Sequence, residues 1–335
     1  MKKYKITVFG AGSWGSVLAH VLAENGHEVH LWTRNADQAD EINHQHTNKK
    51  YLTDVQLSAD LKVTNDLDQA LEASDIYLLV IPTMGIRDLV REINEKIKSK
   101  KLFIHASKGL EQKSHKRIST IIKEEIDADK LEDVVVLSGP SHAEEVIKRD
   151  LTTVTAASEN VESRKLVQEI FMNSYFRVYT NSDLAGVELG GALKNIIALG
   201  SGITVGLGYG DNARAALITR GLAEITRFGL CFGAQESTFM GLSGVGDLVV
   251  TGMSTHSRNF KCGYYIGQGM TPEEAVEKVG MVVEGFYTTK AVYEIAQEKN
   301  IDMPITNAIY QIITNQVEAK NASLDLMKRE GKEEA

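Results

Sequence analysis

Ile6-Thr7-Val8-Phe9-Gly10-Ala11-Gly12-Ser13-Trp14-Gly15 decides the fold of this chain. Four residues with strand character run into the pattern G-x-G-x-x-G, and a helical stretch, Ser16–Glu24, follows directly. Each glycine has a physical reason to be there. Gly10 permits a tight turn, Gly12 lets the backbone approach a pyrophosphate, and Gly15 lets helix and strand pack closely. The helix start offers N–H groups and the positive end of a dipole to phosphate oxygens. Strand, glycine turn and helix in that order predict a dinucleotide-binding unit.

Moving outward, short β-branched runs alternate with helical stretches through the first half. Strands are expected at Lys5–Phe9, Glu28–Trp32, Asp75–Ile81, Leu102–Ala106, Val134–Leu137, Thr152–Ala156 and Phe176–Tyr179. Helices are expected at Trp14–Asn25, Leu67–Ala73, Ile86–Ile97, Lys116–Glu125, Ala143–Lys148 and Val161–Phe171. Strands that are apolar on both faces imply a mostly parallel sheet covered on both sides. The polar stretch from Ala36 to Asp60 reads as a helix plus a surface loop. After Tyr179 the period changes. Asp183 and Asp211 are expected N-caps for Leu184–Val205 and Asn212–Phe228, and Thr271-Pro272-Glu273-Glu274 is a capping box. Further helices are expected at Glu273–Val279, Tyr287–Lys299 and Ile305–Ala319, and the tail from Lys328 reads as a solvated end. The expected organisation is an α/β parallel-sheet domain over 1–182 followed by an all-α domain over 183–335.

Composition narrows the functional classes. The chain has 335 residues, 43% hydrophobic and 24% charged, with a net charge of −8. That balance is ordinary for a globular protein and argues against a general nucleic-acid binder, although a local basic pocket can still hold a small anion. Cys231 and Cys262 form neither a disulfide framework nor a metal motif, and the nine histidines lack metal-ligand spacing, so no metal is expected. No run approaches the roughly 18–20 uncharged apolar residues of a membrane span. Met1-Lys2-Lys3-Tyr4-Lys5 leads into no signal-peptide core, so a cytoplasmic location is expected.

The second strand ends in Leu31-Trp32-Thr33-Arg34-Asn35, without the acid that bonds a ribose 2′-hydroxyl in NAD-preferring proteins. Arg34 can face a 2′-phosphate, which favours NADPH, alone or alongside NADH; the alternative is an arginine stacked on adenine or set in solvent. Trp14 either covers the cofactor or packs. In the second half, Gly190-Gly191-Ala192-Leu193-Lys194-Asn195 lies inside an apolar helix. A lysine there needs a partner, and burial lowers its pKa toward a range suited to proton transfer; otherwise it snorkels to the surface. Ser257-Arg258-Asn259 can hold a phosphate by charge-assisted hydrogen bonds, or is a capped helix start. Asp247, in Ser243-Gly244-Val245-Gly246-Asp247, reads as an N-cap in a glycine-flanked turn. Ala106-Ser107-Lys108-Gly109 and Ser138-Gly139-Pro140-Ser141 end strands of the first domain, where open parallel sheets place ligands.

These residues together resemble the bacterial NAD(P)-dependent glycerol-3-phosphate dehydrogenases, from about residue 4 to residue 317. The match runs through Gly10–Gly15, Ser107-Lys108-Gly109-Leu110-Glu111, Ser138-Gly139-Pro140-Ser141, Glu188–Asn195, Gly210-Asp211-Asn212-Ala213, Ala216–Gly221, Gly246-Asp247-Leu248, Ser257-Arg258-Asn259 and Val283-Glu284-Gly285. The resemblance implies a Rossmann domain followed by an all-α domain like that of 6-phosphogluconate dehydrogenase. It implies reversible reduction of dihydroxyacetone phosphate, a small phosphorylated three-carbon substrate, to sn-glycerol 3-phosphate for phospholipid synthesis, in a homodimer. Lys194 takes the general acid/base position, with Lys108, Asn195 and Asp247 also catalytic. Substrate positions are Lys108, Gly139, Ser141, Lys194, Asp247, Thr251, Ser257, Arg258 and Asn259. Cofactor positions are Gly10, Gly12, Ser13, Trp14, Gly15, Arg34, Lys108, Ala143, Arg258, Val282 and Glu284. The chain departs from the family pattern at Gly252, where a cysteine is usual, and at Gly85. Two rival readings are a hydroxyacid dehydrogenase of related two-domain fold and a non-catalytic NADPH sensor. Ser257-Arg258-Asn259 with Lys108 speaks against the first, and Lys194 with Asn195 and Asp247 against the second.

Overall fold

β1 (Lys5–Phe9) buries side chains on both its faces because alternate residues point to opposite sides. Ile6 and Val8 join one apolar cluster with Leu31, Leu78 and Ile104. Phe9 joins another with Tyr77, Leu79 and Phe103. This two-sided burial is what a parallel sheet flanked by helices requires. The computed structural model describes residues 2–72, 74–331 and 333.

Contacts divide the chain into two compact units. The first comprises Met1–Lys108 with Lys116–Glu188, and the second Gly109–His115 with Leu189–Ala335. The first unit runs α1 (Ser13–Glu24), β2 (Glu28–Trp32), α2 (Ala36–Gln45), β3 (Lys62–Thr64), α3 (Leu67–Glu72), β4 (Ile76–Leu79), α4 (Ile86–Lys96) and β5 (Lys101–His105). It continues through α5 (Ile118–Glu125), β6 (Leu131–Ser138), α6 (Ala143–Val146), β7 (Thr152–Ala157), α7 (Val161–Phe171) and β8 (Phe176–Asn181). The strand order is β3-β2-β1-β4-β5-β6-β7-β8. Every neighbouring pair is parallel except β6 with β7. The carboxyl ends of β1, β2, β4, β5 and β6 therefore share one edge of the sheet. Ala73, the expected last residue of α3, lies outside the described residues.

The stretch after α2 is not only a surface loop. It holds Asn48, which is fully buried, and β3, which pairs with β2, follows it. Asn48 donates to the Ala11 carbonyl oxygen at 2.9 Å and to Ser16 Oγ at 2.9 Å, and the Gln38 amide donates to the same Ala11 oxygen at 2.6 Å. Two side chains from α2 and its following loop thus fix the peptide inside the glycine turn.

α8 (Leu184–Gly206) starts in the first unit and continues into the second. Asp183 caps it as expected, accepting from Gly186 N at 2.8 Å. By length and mean composition it could cross a membrane, but Glu188 and Lys194 interrupt its apolar run, and 89% of its apolar window is buried. Its role is that of a core helix: Leu189, Leu193, Ile196, Leu199 and Ile203 all lie in the second unit's apolar cluster. Around it come α9 (Asp211–Leu230), α10 (Glu236–Phe239), α11 (Asp247–Met253), α12 (Arg258–Gly267), α13 (Pro272–Val279), α14 (Glu284–Lys299), α15 (Pro304–Ile313) and α16 (Ala319–Met327). The N-cap of α9 is Gly210, and Asp211 is instead its first helical residue. The stretch expected as one helix, Ile305–Ala319, is α15 followed by a break before α16. The capping box at Thr271 forms with both of its hydrogen bonds.

Candidate active site

In the first unit the cradle is made by the three glycines. Gly10 has φ +114°, and a Cβ there would meet the Val80 carbonyl oxygen at 2.4 Å. A Cβ on Gly15 would meet the Gly10 carbonyl oxygen at 1.8 Å. Gly12 is different: a Cβ there would touch nothing within 4 Å. Gly10 and Gly15 are glycines for the protein's own packing, whereas the space beside Gly12 suits an incoming group. Gly12 is also the N-cap of α1 and brings no side chain to that helix start. Backbone N–H groups at a helix N-terminus with open space in front of them fit a pyrophosphate.

The neighbouring residues fall around this edge. Ser13 Oγ donates to the Tyr51 carbonyl oxygen at 3.0 Å. Trp14 is half-buried against the first apolar cluster. Arg34 is exposed just beyond β2, its guanidinium 6.0 Å from the Trp32 ring. At the end of β5, Ser107 Oγ donates to the Ile81 carbonyl oxygen at 2.6 Å, and Lys108 Nζ lies 3.3 Å from the Gly139 carbonyl oxygen. Gly139 has φ +150° and a Cβ would press on the Val154 Cα at 2.9 Å, so only glycine fits there. Ser141 Oγ donates to the same Gly139 oxygen at 3.0 Å, and Ala143 begins α6.

Glu188 closes the first unit. It is buried and accepts from Ser119 N at 2.8 Å, Ser119 Oγ at 2.5 Å and Arg117 Nη1 at 2.5 Å, with His105 Nε2 at 3.2 Å. Burial alone would raise its carboxyl pKa, but His105, Arg117 and Ser119 around it hold it down to about 2.

The second unit holds the buried lysine. Lys194 has a side-chain exposure of 7% and Asp247 of 1%. Lys194 Nζ donates to Asp247 Oδ1 and, at 2.6 Å, to Thr251 Oγ1. Asp247 and Thr251 are one turn apart on α11, so they present one face to the lysine. Lys194 is therefore partnered inside the fold and does not snorkel. Asp247 is the first residue of α11 and the lysine's counter-ion; its expected role as an N-cap is replaced by this one.

Asn195, next along α8, accepts from Asn259 Nδ2 at 2.9 Å, while Asn259 Oδ1 accepts from Gly285 N at 2.9 Å. A relay of amides thus joins α8, α12 and the start of α14, where Val282 and Glu284 are half-buried. Ser257 caps α12, its hydroxyl accepting from Phe260 N at 3.2 Å. Arg258 is the exposed member of the triplet. The crossing of α8 and α12 makes this possible. A Cβ on Gly202 would meet the Phe260 carbonyl oxygen at 2.0 Å, and one on Gly263 the Leu199 carbonyl oxygen at 2.0 Å. The two helices meet backbone to backbone, and that contact sets Asn259 against Asn195. Sequence reading missed Gln38, Asn48 and these glycines. The i, i+4 spacing of Gly202 with Gly206 and of Gly263 with Gly267 was the available signal.

The profile of the NAD-dependent glycerol-3-phosphate dehydrogenase N-terminus matches residues 5–164, and that of the C-terminus matches residues 183–323. The chain belongs to the NAD-dependent glycerol-3-phosphate dehydrogenase family. A glycerol-3-phosphate dehydrogenase [NAD(P)+] of Staphylococcus aureus (strain JH9) is 54% identical over 330 residues, covering 98% of this chain and 99% of that protein. The crystal structure of glycerol-3-phosphate dehydrogenase from Coxiella burnetii aligns with TM-score 0.93 at 37% identity, over 98% of this chain and 99% of the other. The yeast enzyme aligns with TM-score 0.83 at 30% identity, over 98% and 100%. Family membership brings with it the parallel α/β domain followed by a helical domain, and NAD(P) as coenzyme.

Proposed function

We propose that this protein interconverts dihydroxyacetone phosphate and sn-glycerol 3-phosphate, with Lys194 as general acid/base, and so feeds phospholipid synthesis. The observation that carries the residue assignment is the buried Lys194 ammonium bonded to Asp247 and Thr251. When bound, the reduced nicotinamide supplies the hydride. Lys194 Nζ donates a proton to the C2 oxygen in reduction and takes it back in oxidation. Asp247 and Thr251 orient that ammonium, and a charged donor beside the oxygen stabilises developing alkoxide. Asn195 and Asn259, already bonded to each other, keep α8 and α12 in register. Arg258 supplies a positive charge for the phosphate, and Lys108, Gly139 and Ser141 are further substrate-binding residues. A phosphate held at the far end of a small ketone fixes the orientation of its carbonyl.

Gly12 and Ser13 hold the pyrophosphate on a turn that Gly10 and Gly15 shape, and Arg34 reads the 2′-phosphate of NADPH. Trp14, Ala143, Val282 and Glu284 complete the cofactor contacts. The homodimer belongs to the same proposal, and sedimentation velocity checks it. The main test is a spectrophotometric assay of NADPH and NADH oxidation with dihydroxyacetone phosphate, with unphosphorylated dihydroxyacetone as control. Turnover that needs the phosphate supports the assignment; equal rates with both ketones would overturn it.

A further inference from the structure

α11 has seven residues, and its last carbonyls have no partner within the helix. The Gly252 carbonyl is one of them. It accepts from Ser201 Oγ at 2.6 Å and from Arg214 Nη2 at 3.3 Å. Ser201 is fully buried on α8, seven residues after Lys194. Seven residues are close to two helical turns, so the two side chains leave the same face of α8. They meet the same helix: Lys194 engages Asp247 and Thr251, and Ser201 engages the carbonyl of the residue after Thr251.

Arg214 approaches from α9. Its guanidinium lies 5.5 Å from the Phe260 ring, directly after Asn259, and 4.0 Å from Asp211. Its Nε is buried without a hydrogen-bond acceptor. A buried donor left unpaired is costly, so the side chain is not placed here to optimise its own hydrogen bonding. A cation at a helix C-terminus is favoured by the helix dipole. Ser201 and Arg214 together pin the end of α11.

We propose that Ser201 and Arg214 are positioning residues for Lys194, acting through the Gly252 carbonyl and the adjacent Thr251. The proposal rests on the reading of Lys194 as the proton donor. With the clamp intact, Thr251 Oγ1 stays 2.6 Å from Lys194 Nζ. Without it the last turn of α11 is free to shift and the ammonium loses its bond to the Thr251 hydroxyl. The phosphate-facing triplet sits on α12, so the phosphate's share of substrate affinity depends on a different helix. The clamp therefore governs turnover rather than binding.

The test compares full-length S201A, R214A, R214K, T251A, the double variant S201A/T251A, and K194A with wild type, each checked by thermal melting. For dihydroxyacetone phosphate reduction, S201A is expected to lower kcat about tenfold, with KM and NADPH affinity within about twofold. R214K, which keeps a donor, is expected to recover most of the kcat lost in R214A. In the T251A background, S201A is expected to cost nothing further, because the residue it acts through is gone. The proposal fails if kcat of S201A stays within about twofold of wild type, or if its loss is undiminished in T251A. Should S201A not fold, R214K no better than R214A overturns the clamp. An inactive K194A beside an unaffected S201A rejects the clamp alone. A K194A enzyme with full turnover rejects the proton-donor reading, and the clamp with it.

Discussion

Lys194 is held by two side chains of one helix and shielded from water, an arrangement that orients its ammonium. Lys194→Ala should therefore lower kcat about a thousandfold while NADPH affinity stays within a few-fold, as fluorescence titration would read. Turnover near the wild-type level would remove the lysine from its role. The variant will also be less stable, because the buried Asp247 carboxylate loses its counter-ion. Arg34 is the opposite kind of residue: exposed, beyond a strand end, and beside the Trp32 ring. Arg34→Asp should shift the ratio of kcat/KM for NADPH over NADH at least tenfold toward NADH. An unchanged ratio would mean that Arg34 does not read the 2′-phosphate. These two residues differ in how legible they were. Lys194 stands out in the sequence because a cation interrupts an apolar helix. Its partner Asp247 does not, because an aspartate after two glycines has the pattern of an ordinary cap.

At the scale of elements, the crossing of α8 and α12 places the two asparagines of the site against each other. Gly→Ala inside a helix ordinarily stabilises it, by up to about 1 kcal/mol. At Gly202 the sign reverses, since the new Cβ would lie 2.0 Å from a backbone oxygen that no rotamer change can move. Gly202→Ala should cost about 3 kcal/mol in denaturant unfolding and lower activity along with it, through the Asn195–Asn259 bond. A stability equal to or above wild type would show that the helices can separate slightly at no cost. The same element shows where periodicity was informative. Long helices such as α7, Val161–Phe171, and the capping box of α13 were readable because local chemistry alone fixes them. β3, of three residues, and α10, of four, carry too little period to register, and they exist because neighbours hold them. Asn48 was unreadable for the same reason. Its burial follows from the Ala11 carbonyl it meets, which is far away in sequence.

For the molecule as a whole, Glu188 is the last residue of the first unit and sits on α8, which continues into the second. Its carboxylate gathers a ring, a guanidinium, a hydroxyl and a backbone amide from β5 and the start of α5. Its pKa is lowered from 4.5 to about 2 in the folded chain, so folding favours the ionised form. The stabilisation is fully present above the unfolded pKa near 4.5 and is lost as pH falls toward 2. A shift of that size corresponds to about 3 kcal/mol. In Glu188→Gln the amide accepts fewer of these bonds and does not titrate. At pH 7 the variant should be less stable than wild type by roughly that amount. The gap should narrow steadily between about pH 4.5 and pH 2 as the wild-type carboxylate is neutralised. Denaturant unfolding of both proteins across that range measures it. If the difference between them is the same at pH 7 and pH 3, the charge of Glu188 contributes nothing, and the cluster holds the head of α8 by shape alone.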